Sequence, residues 1–250
     1  PLPCIGKPSV PPMPSKTNGN VRAVLFDLDE TLFNRTESLR LFLKGQGAKY
    51  PTLQSVSLSD LTDHFLLLDQ RGRVKKDTVY RKLLEILGRP DDRLAATLLH
   101  DYETNFWRFA LPFPEMEGVL SALKQQSVKI AIVTNGQTHI QLRSILALNL
   151  DRVADAYLIS EQEQVRKPDP VLFHRAATRL NVDIERSVFV GDSPEADIVG
   201  AHQTGMKTIW FPNGTVWPGN LPKVADAEIS SLSEIPELIS KWYREGNGAE

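Results

Sequence analysis

The pattern of hydrophobic and polar positions changes twice along the chain, and these changes divide it into regions. A short apolar run that ends at Asp27 predicts a buried strand. From Thr36 to about Ala110 apolar residues recur at helical spacing, in four segments without a strand pattern. From Gly118 onwards predicted helices and strands alternate, which indicates a parallel sheet with crossover helices.

The alternating region defines the expected fold class. Its predicted strands are residues 129–134, 156–160, 187–190 and 208–211, and its predicted helices are residues 118–126, 138–148, 169–180, 195–203 and 232–243. We therefore expect an α/β protein whose core, residues 21–34 and 112–250, is a doubly wound, Rossmann-like parallel sheet. Residues 35–111 are expected to be an inserted all-helical subdomain. Residues 1–20 contain six prolines and few large apolar groups, so we expect a disordered tail there.

The composition excludes several classes of protein. The 29 basic and 31 acidic residues give a net charge of −2, so we expect no binding to nucleic acid. No apolar run approaches the ~20 residues that span a bilayer, so we expect no membrane association. Cys4 is the single cysteine and cannot form an internal disulfide, which is typical of a cytoplasmic protein.

Two carboxylates, Asp27 and Asp29, follow the first predicted strand. Ligands of open α/β sheets bind outside the carboxyl ends of the strands. Because strand side chains alternate with a period of two, both carboxylates can face one pocket. A polar strand end that meets water would give the same pattern, so this motif needs partners elsewhere in the chain.

Three later loops carry polar groups in comparable positions. Thr134 and Asn135 follow the second strand, where a hydroxyl and backbone amides at a helix start suit a phosphate oxygen. Lys167 is flanked by a proline-rich turn that restricts the backbone, so its ammonium can be aimed at phosphate or carboxylate. Asp192 follows another strand. Taken alone, each loop is explained at least as well by a helix cap or a solvated side chain, and for the Lys167 loop that explanation would be preferred.

Together, Asp27, Asp29 and Asp192 predict a metal site. Carboxylates that meet at the ends of neighbouring strands repel one another strongly unless a cation lies between them. Mg²⁺ prefers one or two carboxylates, several waters and a substrate phosphate. The sequence therefore favours Mg²⁺ as a cofactor over a dry acidic cluster.

In chain order, the motifs D-x-D-x-T, T-N-G, K-P-D-P and G-D-S-x-x-x-D resemble those of the haloacid dehalogenase superfamily of phosphohydrolases, from residue 21 to about 215. The helical insertion after the first strand resembles the first type of cap in that superfamily. The resemblance implies a Mg²⁺-dependent phosphatase that hydrolyses a small soluble phosphorylated metabolite through an aspartyl-phosphate intermediate.

The resemblance also implies catalytic roles. Asp27 would be the nucleophile, because an ionised carboxylate needs no base. Asp29 would protonate the leaving alkoxide and later deprotonate water. Thr134 and the backbone amide of Asn135 would hold the phosphoryl group, and Lys167 would stabilise its charge.

The implied metal ligands are Asp27, the backbone carbonyl of Asp29, and Asp192, with Asp197 behind them. The dehalogenase and phosphonatase branches resemble this chain but lack a carboxylate two residues after the nucleophile, so Asp29 favours phosphate esters. A phosphomutase or other phosphotransferase remains an alternative, since phosphomutases keep both aspartates. A second alternative is a non-catalytic phospho-aspartate signalling module similar to a receiver domain, although such a module needs no cap.

The loop of residues 71–76, between the second and third cap helices, carries four cations in six residues. It resembles the segment that reaches over the active site in caps of this type. A solvated turn explains the charges as well. The functional alternative is that Arg71 or Arg73 binds an anionic group on the leaving portion of the substrate, for which a guanidinium is suited.

Overall fold

The computed structural model describes residues 20–247, so the predicted tail, residues 1–20, lies outside the described residues apart from Asn20. Within the described chain, six parallel strands form one sheet in the order β3-β2-β1-β4-β5-β6. The strands are β1 (Ala23–Phe26), β2 (Lys129–Thr134), β3 (Ala156–Ile159), β4 (Ser187–Gly191), β5 (Lys207–Trp210) and β6 (Ala227–Glu228).

Ten α-helices accompany this sheet in residues 20–247, and none of them is long and apolar enough to cross a membrane. They are α1 (Arg35–Lys49), α2 (Leu58–Asp69), α3 (Lys76–Ile86), α4 (Asp92–Asn105), α5 (Met116–Gln125), α6 (Thr138–Ala147), α7 (Ser160–Glu163), α8 (Pro170–Leu180), α9 (Gly200–His202) and α10 (Ile235–Asn247).

Helices cover both faces of the sheet because side chains alternate along its buried strands. In β1, Val24 and Phe26 face a core that includes α5 and α10, whereas Ala23 and Leu25 face a second core with α8 and α9. The expected doubly wound α/β fold is therefore confirmed.

The first strand lies at the topological switch point of the sheet. β2 pairs with one side of β1 and β4 with the other, with Phe26 opposite both Ile132 and Val190. The chain then adds strands outwards in both directions, which opens a crevice at the carboxyl ends of β1, β2 and β4.

The helical segment between β1 and α5 packs continuously onto the core. Its return is a 3₁₀ turn, Phe106–Phe109, whose first ring stacks on Tyr102 with the centroids 4.9 Å apart and lies 5.9 Å from Phe33. The outgoing and returning chains are joined, because the amide of Asn34 donates to the carbonyl of Leu111 over 2.9 Å. This junction places the entry to the helical segment beside the end of β1.

The structure differs from the sequence expectation at short elements. The predicted helix over residues 195–203 is a π-helical turn, Pro194–Val199, followed by the single turn of α9. The two-residue strand β6 and the four-residue helix α7 were not predicted, because neither is long enough to show a hydrophobic period.

Candidate active site

Asp27 lies where the three central strands end. Its amide donates to the carbonyl of Val190 over 2.9 Å, which continues the pairing of β1 with β4 one residue beyond the strand. Its side chain is almost buried, and its Oδ1 lies 2.7 Å from the Nζ of Lys167. The sheet thus fixes the backbone of Asp27, and the lysine fixes its carboxylate.

Lys167 is a buried cation held between two carboxylates. Its Nζ lies 2.7 Å from Oδ1 of Asp27 and 2.7 Å from Oδ1 of Asp197. Burial alone would lower the pKa of Lys167, but Asp197 and Asp27 outweigh that effect and the pKa lies above its ordinary value. The lysine is therefore charged at neutral pH.

Asn135 sets the backbone position of that lysine. Its side-chain oxygen accepts from the amide of Lys167, and its side-chain nitrogen donates to the Lys167 carbonyl, both over 2.9 Å. The loop after β2 thereby aims the lysine that serves the end of β1. The sequence predicted a role only for the backbone amide of Asn135. The structure adds a role for its side chain, which holds the backbone of Lys167.

Asp197 approaches the site from the π-helical turn after β4. Its Oδ2 accepts from the amide of Ser193 over 2.9 Å while its Oδ1 pairs with Lys167. A Cβ at Gly191 would overlap the Asp197 carboxylate, so only glycine permits this approach. The spacing G-D-S-x-x-x-D is thus explained by the packing of its first residue against its last.

Asp27, Asp192 and Asp197 form an acidic cluster, each with one carboxylate oxygen within 4.8 Å of the others. Burial raises the pKa of Asp27 well above its ordinary value, and Asp197 and Asp192 add to the rise against the opposing charge of Lys167. Burial and Asp197 also raise the pKa of Asp192 to about 7, although Arg71 opposes this. Hard oxygen donors with this mutual repulsion fit a divalent cation such as Mg²⁺.

Asp29 lies in the turn after β1, next to a residue that sequence reasoning missed. The Nε2 of Gln141 donates to Oδ2 of Asp29 over 3.2 Å and to Oγ1 of Thr134 over 2.7 Å. Burial raises the pKa of Asp29, partly opposed by the charge of Arg35. No sequence signal marked Gln141, because one buried glutamine in a helix fits no motif of charged or nucleophilic residues.

The loop between α2 and α3 places Arg71 over the acidic cluster. Its Nη2 lies 2.8 Å from Oδ2 of Asp192, and its Nη1 donates to the carbonyl of Asn213 over 3.2 Å. The loop turns sharply, with positive φ at Gln70 (48°), Arg71 (56°) and Gly72 (86°). Arg71 therefore bridges the helical segment and two loops of the core.

A buried ion-pair network supports this loop and was also missed. Asp69 is fully buried, and its Oδ2 lies 2.7 Å from Nη1 of Arg35. Lys76 pairs with the other oxygen of Asp69, and the amide of Gly72 donates to Oδ2 over 2.8 Å. Arg35 and Asp69 are 34 residues apart, so no local spacing could reveal the pair.

The side chain of Arg73 is exposed and forms no hydrogen bond or ion pair with the residues that the structure describes, so the structure does not bring it to the site. Its backbone amide donates to the carbonyl of Gln70 over 3.3 Å within the turn. Its contact with a substrate stays a prediction. The other residues named from the sequence lie together at the crevice: Asp27, Asp29, Thr134, Asn135, Lys167, Asp192, Asp197 and Arg71.

A switch-point crevice with a buried lysine, clustered carboxylates and an inserted helical segment defines a doubly wound α/β protein with a candidate acidic active site. Residues 24–211 match the model of the haloacid dehalogenase-like hydrolases, and the chain belongs to this family. The predicted family, fold class and enzyme class, a phosphohydrolase, are confirmed.

Named relatives and a solved structure resemble the chain over most of its length. It is 29% identical to the glyceraldehyde 3-phosphate phosphatase of Methanopyrus kandleri over 90% of this chain and 100% of that protein. It is 31% identical to the ribulose-1,5-bisphosphate 5-phosphatase of Halopiger xanaduensis over 87% of this chain and 99% of that protein. A solved structure of the HAD hydrolase YfnB from Bacillus subtilis, which contains magnesium and shows interdomain movement, is also similar. The two chains are 25% identical with a TM-score of 0.72, and the match covers 88% of this chain and 99% of YfnB.

Proposed function

We propose that the chain is a Mg²⁺-dependent phosphatase that hydrolyses a small phosphorylated metabolite through an aspartyl-phosphate on Asp27. The observation that carries this proposal is the position of the Asp27 carboxylate. It lies at the switch point of the sheet, 2.7 Å from a buried ammonium and beside two further carboxylates.

In the first half-reaction, an oxygen of Asp27 attacks phosphorus and the bond to the leaving oxygen breaks. Lys167 stabilises the charge that gathers on the carboxylate and the phosphoryl oxygens. Asp197 keeps the ammonium in place through its contact of 2.7 Å. The hydroxyl of Thr134 and the backbone amide of Asn135 bind the transferring group from the end of β2.

Mg²⁺, when bound, would be held by Asp27, Asp192 and the backbone carbonyl of Asp29, and would offset the repulsion between the nucleophile and the phosphate. The approach of Asp27, Asp192 and Asp197 to within 4.8 Å of one another supports this assignment. Burial and this mutual repulsion raise the pKa of Asp27 and of Asp192, and a bound cation would offset both effects.

Asp29 is the proposed general acid and base. It gives a proton to the leaving alkoxide and later takes one from the water that hydrolyses the aspartyl-phosphate. The raised pKa of Asp29, caused first by burial, favours the protonated form that the first step requires.

The helical segment, residues 35–111, is the proposed cap. Arg71 reaches the acidic cluster from it and would bind an anionic group of the leaving portion once the substrate is present. Arg73 belongs to the same loop, and the proposal includes its contact with the same anionic group, although its side chain is exposed to solvent. Closure of the cap would exclude water during phosphoryl transfer.

A panel of phosphorylated metabolites and an aryl phosphate, assayed for inorganic phosphate, tests the proposal. We expect release with Mg²⁺, loss of release with a chelator, and recovery when Mg²⁺ is restored. Full activity without divalent cations would contradict the metal site. Transfer to a second hydroxyl without phosphate release would favour a phosphomutase, and absence of turnover on every ester would favour a signalling module.

A further inference from the structure

We propose that Gln141 is a positioning residue that orients the acid–base carboxylate and the phosphoryl-binding hydroxyl together. This inference rests on the proposed function, because it concerns the groups that act on the phosphate ester. Gln141 belongs to α6 and is 4% exposed.

Both hydrogens of the Gln141 amide nitrogen are used. Nε2 lies 2.7 Å from Oγ1 of Thr134 and 3.2 Å from Oδ2 of Asp29. With the amide nitrogen facing both atoms, Oδ2 of Asp29 accepts a hydrogen bond in the ionised form and also when Oδ1 carries the proton. In this orientation Gln141 donates both hydrogen bonds, and Asp29 and Thr134 accept them.

The first consequence concerns Thr134. A hydroxyl carries one hydrogen and can accept as well as donate. Because Oγ1 accepts from Gln141, its own hydrogen is left to donate, and the ligand expected at the end of β2 is a phosphoryl oxygen. The hydrogen bond from Gln141 thus leaves the Thr134 hydroxyl to act as a donor to the substrate.

The second consequence concerns Asp29. Its Oδ2 is occupied by Gln141, whereas its Oδ1 is buried and has no hydrogen-bond partner among the described residues. Oδ1 is the oxygen left to exchange a proton. As the Asp27–phosphorus bond forms and the ester P–O bond breaks, the proton of Asp29 passes to the leaving oxygen. Water then attacks phosphorus, gives its proton to Asp29, and releases phosphate and the Asp27 carboxylate.

The loop after β2 is shaped to admit Gln141. A Cβ at Gly136 would lie 2.8 Å from Cγ and 2.9 Å from Cδ of Gln141. Side-chain carbons do not approach so closely, so any larger residue at position 136 would displace the glutamine. The glycine of T-N-G is explained by this packing, which ties the motif to a residue seven positions after Thr134.

The test compares Gln141→Leu with Gln137→Leu, a matched change of an exposed glutamine at the start of the same helix. The substrates are p-nitrophenyl phosphate and the best alkyl phosphate of the panel. We expect Gln141→Leu to lower kcat on the alkyl ester by roughly 100-fold and on the aryl ester by about tenfold, since the aryl group needs no proton. Gln137→Leu should match the wild type.

Rapid acid quench with ³²P-labelled substrate measures the amount of phosphorylated Asp27. A purely structural role of Gln141 would not change this amount. We expect labelled Asp27 to accumulate in Gln141→Leu, because the misplaced Asp29 activates water poorly. Gln141→Glu keeps the shape and removes the donors, so it serves if the leucine variant does not fold. Equal losses on both esters without accumulation overturn the inference while the proposed function stands. A wild-type enzyme without label on Asp27 overturns both.

Discussion

The core and the loop of the helical segment each bring a cation to the acidic cluster of Asp27, Asp192 and Asp197, but they do so by different means. Lys167 is 2% exposed, contacts two carboxylates and has its backbone fixed by Asn135. Arg71 is 32% exposed and lies in a turn with three consecutive residues of positive φ. The core cation is held by Asn135, which follows β2, whereas the loop that carries Arg71 is braced by one buried carboxylate, Asp69, through the amide of Gly72.

This difference assigns separate tasks to the two regions. Chemistry that needs atoms within a fraction of an ångström belongs on rigid elements, and the strand ends provide them. A loop that reaches the site from a separate helical segment can move to admit the substrate and can bind the leaving portion of the substrate. The comparison can be tested from both sides, beginning with the core.

The largest effect is expected for Asp27→Asn. The amide is nearly isosteric but is a far weaker nucleophile, so turnover should fall at least ~10³-fold while the fold is retained. Phosphate release and circular dichroism measure the two outcomes. The exposed carboxylate of Asp183 gives a control, and Asp183→Asn should keep full activity. Substantial turnover by a folded Asp27→Asn enzyme would remove Asp27 from its role.

The next effect is expected for Asp29→Asn, which keeps the nucleophile and removes the acid–base group. Phosphorylation by an alkyl ester should slow by about 10²-fold or more, whereas an aryl ester should lose less in that step. The aspartyl-phosphate from the aryl ester should then accumulate, which rapid quench detects. Equal losses in phosphorylation for the two esters would argue against Asp29 as the acid.

These core groups could be named from the sequence because each follows a buried strand. Parallel strands end at one edge, so Asp27, Thr134 and Asp192 meet without any knowledge of the loops between them. Gln141 could not be predicted, since its importance depends on how α6 packs against β2. The Asp69 network could not be predicted either, because its partners are distant in the chain and the helical period reports only burial.

A stability measurement tests the loop's support. Asp69 compensates Arg35 and Lys76, so Asp69→Ala leaves two largely buried cations without their carboxylate. Breaking a buried ion pair in this way costs roughly 3–5 kcal/mol, which urea unfolding of the helical segment should detect. The exposed pair of Arg40 with Asp63 is the matched control, and Asp63→Ala should leave the unfolding midpoint unchanged. Equal midpoints for both variants would mean that Asp69 does not hold the loop.

The smallest effect is expected at the tip of the loop, where the comparison between Arg71 and Arg73 is sharpest. Arg71 contacts Asp192 and Asn213, whereas Arg73 has an exposed side chain two residues away. If Arg71 binds an anionic leaving portion and closes the cap, Arg71→Ala should lower kcat/KM for the natural ester more than ~tenfold, about 1.4 kcal/mol. An aryl phosphate without that anion should be affected much less.

Arg73→Ala is the control, because it removes a positive charge from the same loop without removing the contact of Arg71 with Asp192, and we expect a smaller loss of kcat/KM from it. If both variants treat the two esters alike, the loop is a solvated turn, and substrate selection must reside in other residues of the helical segment.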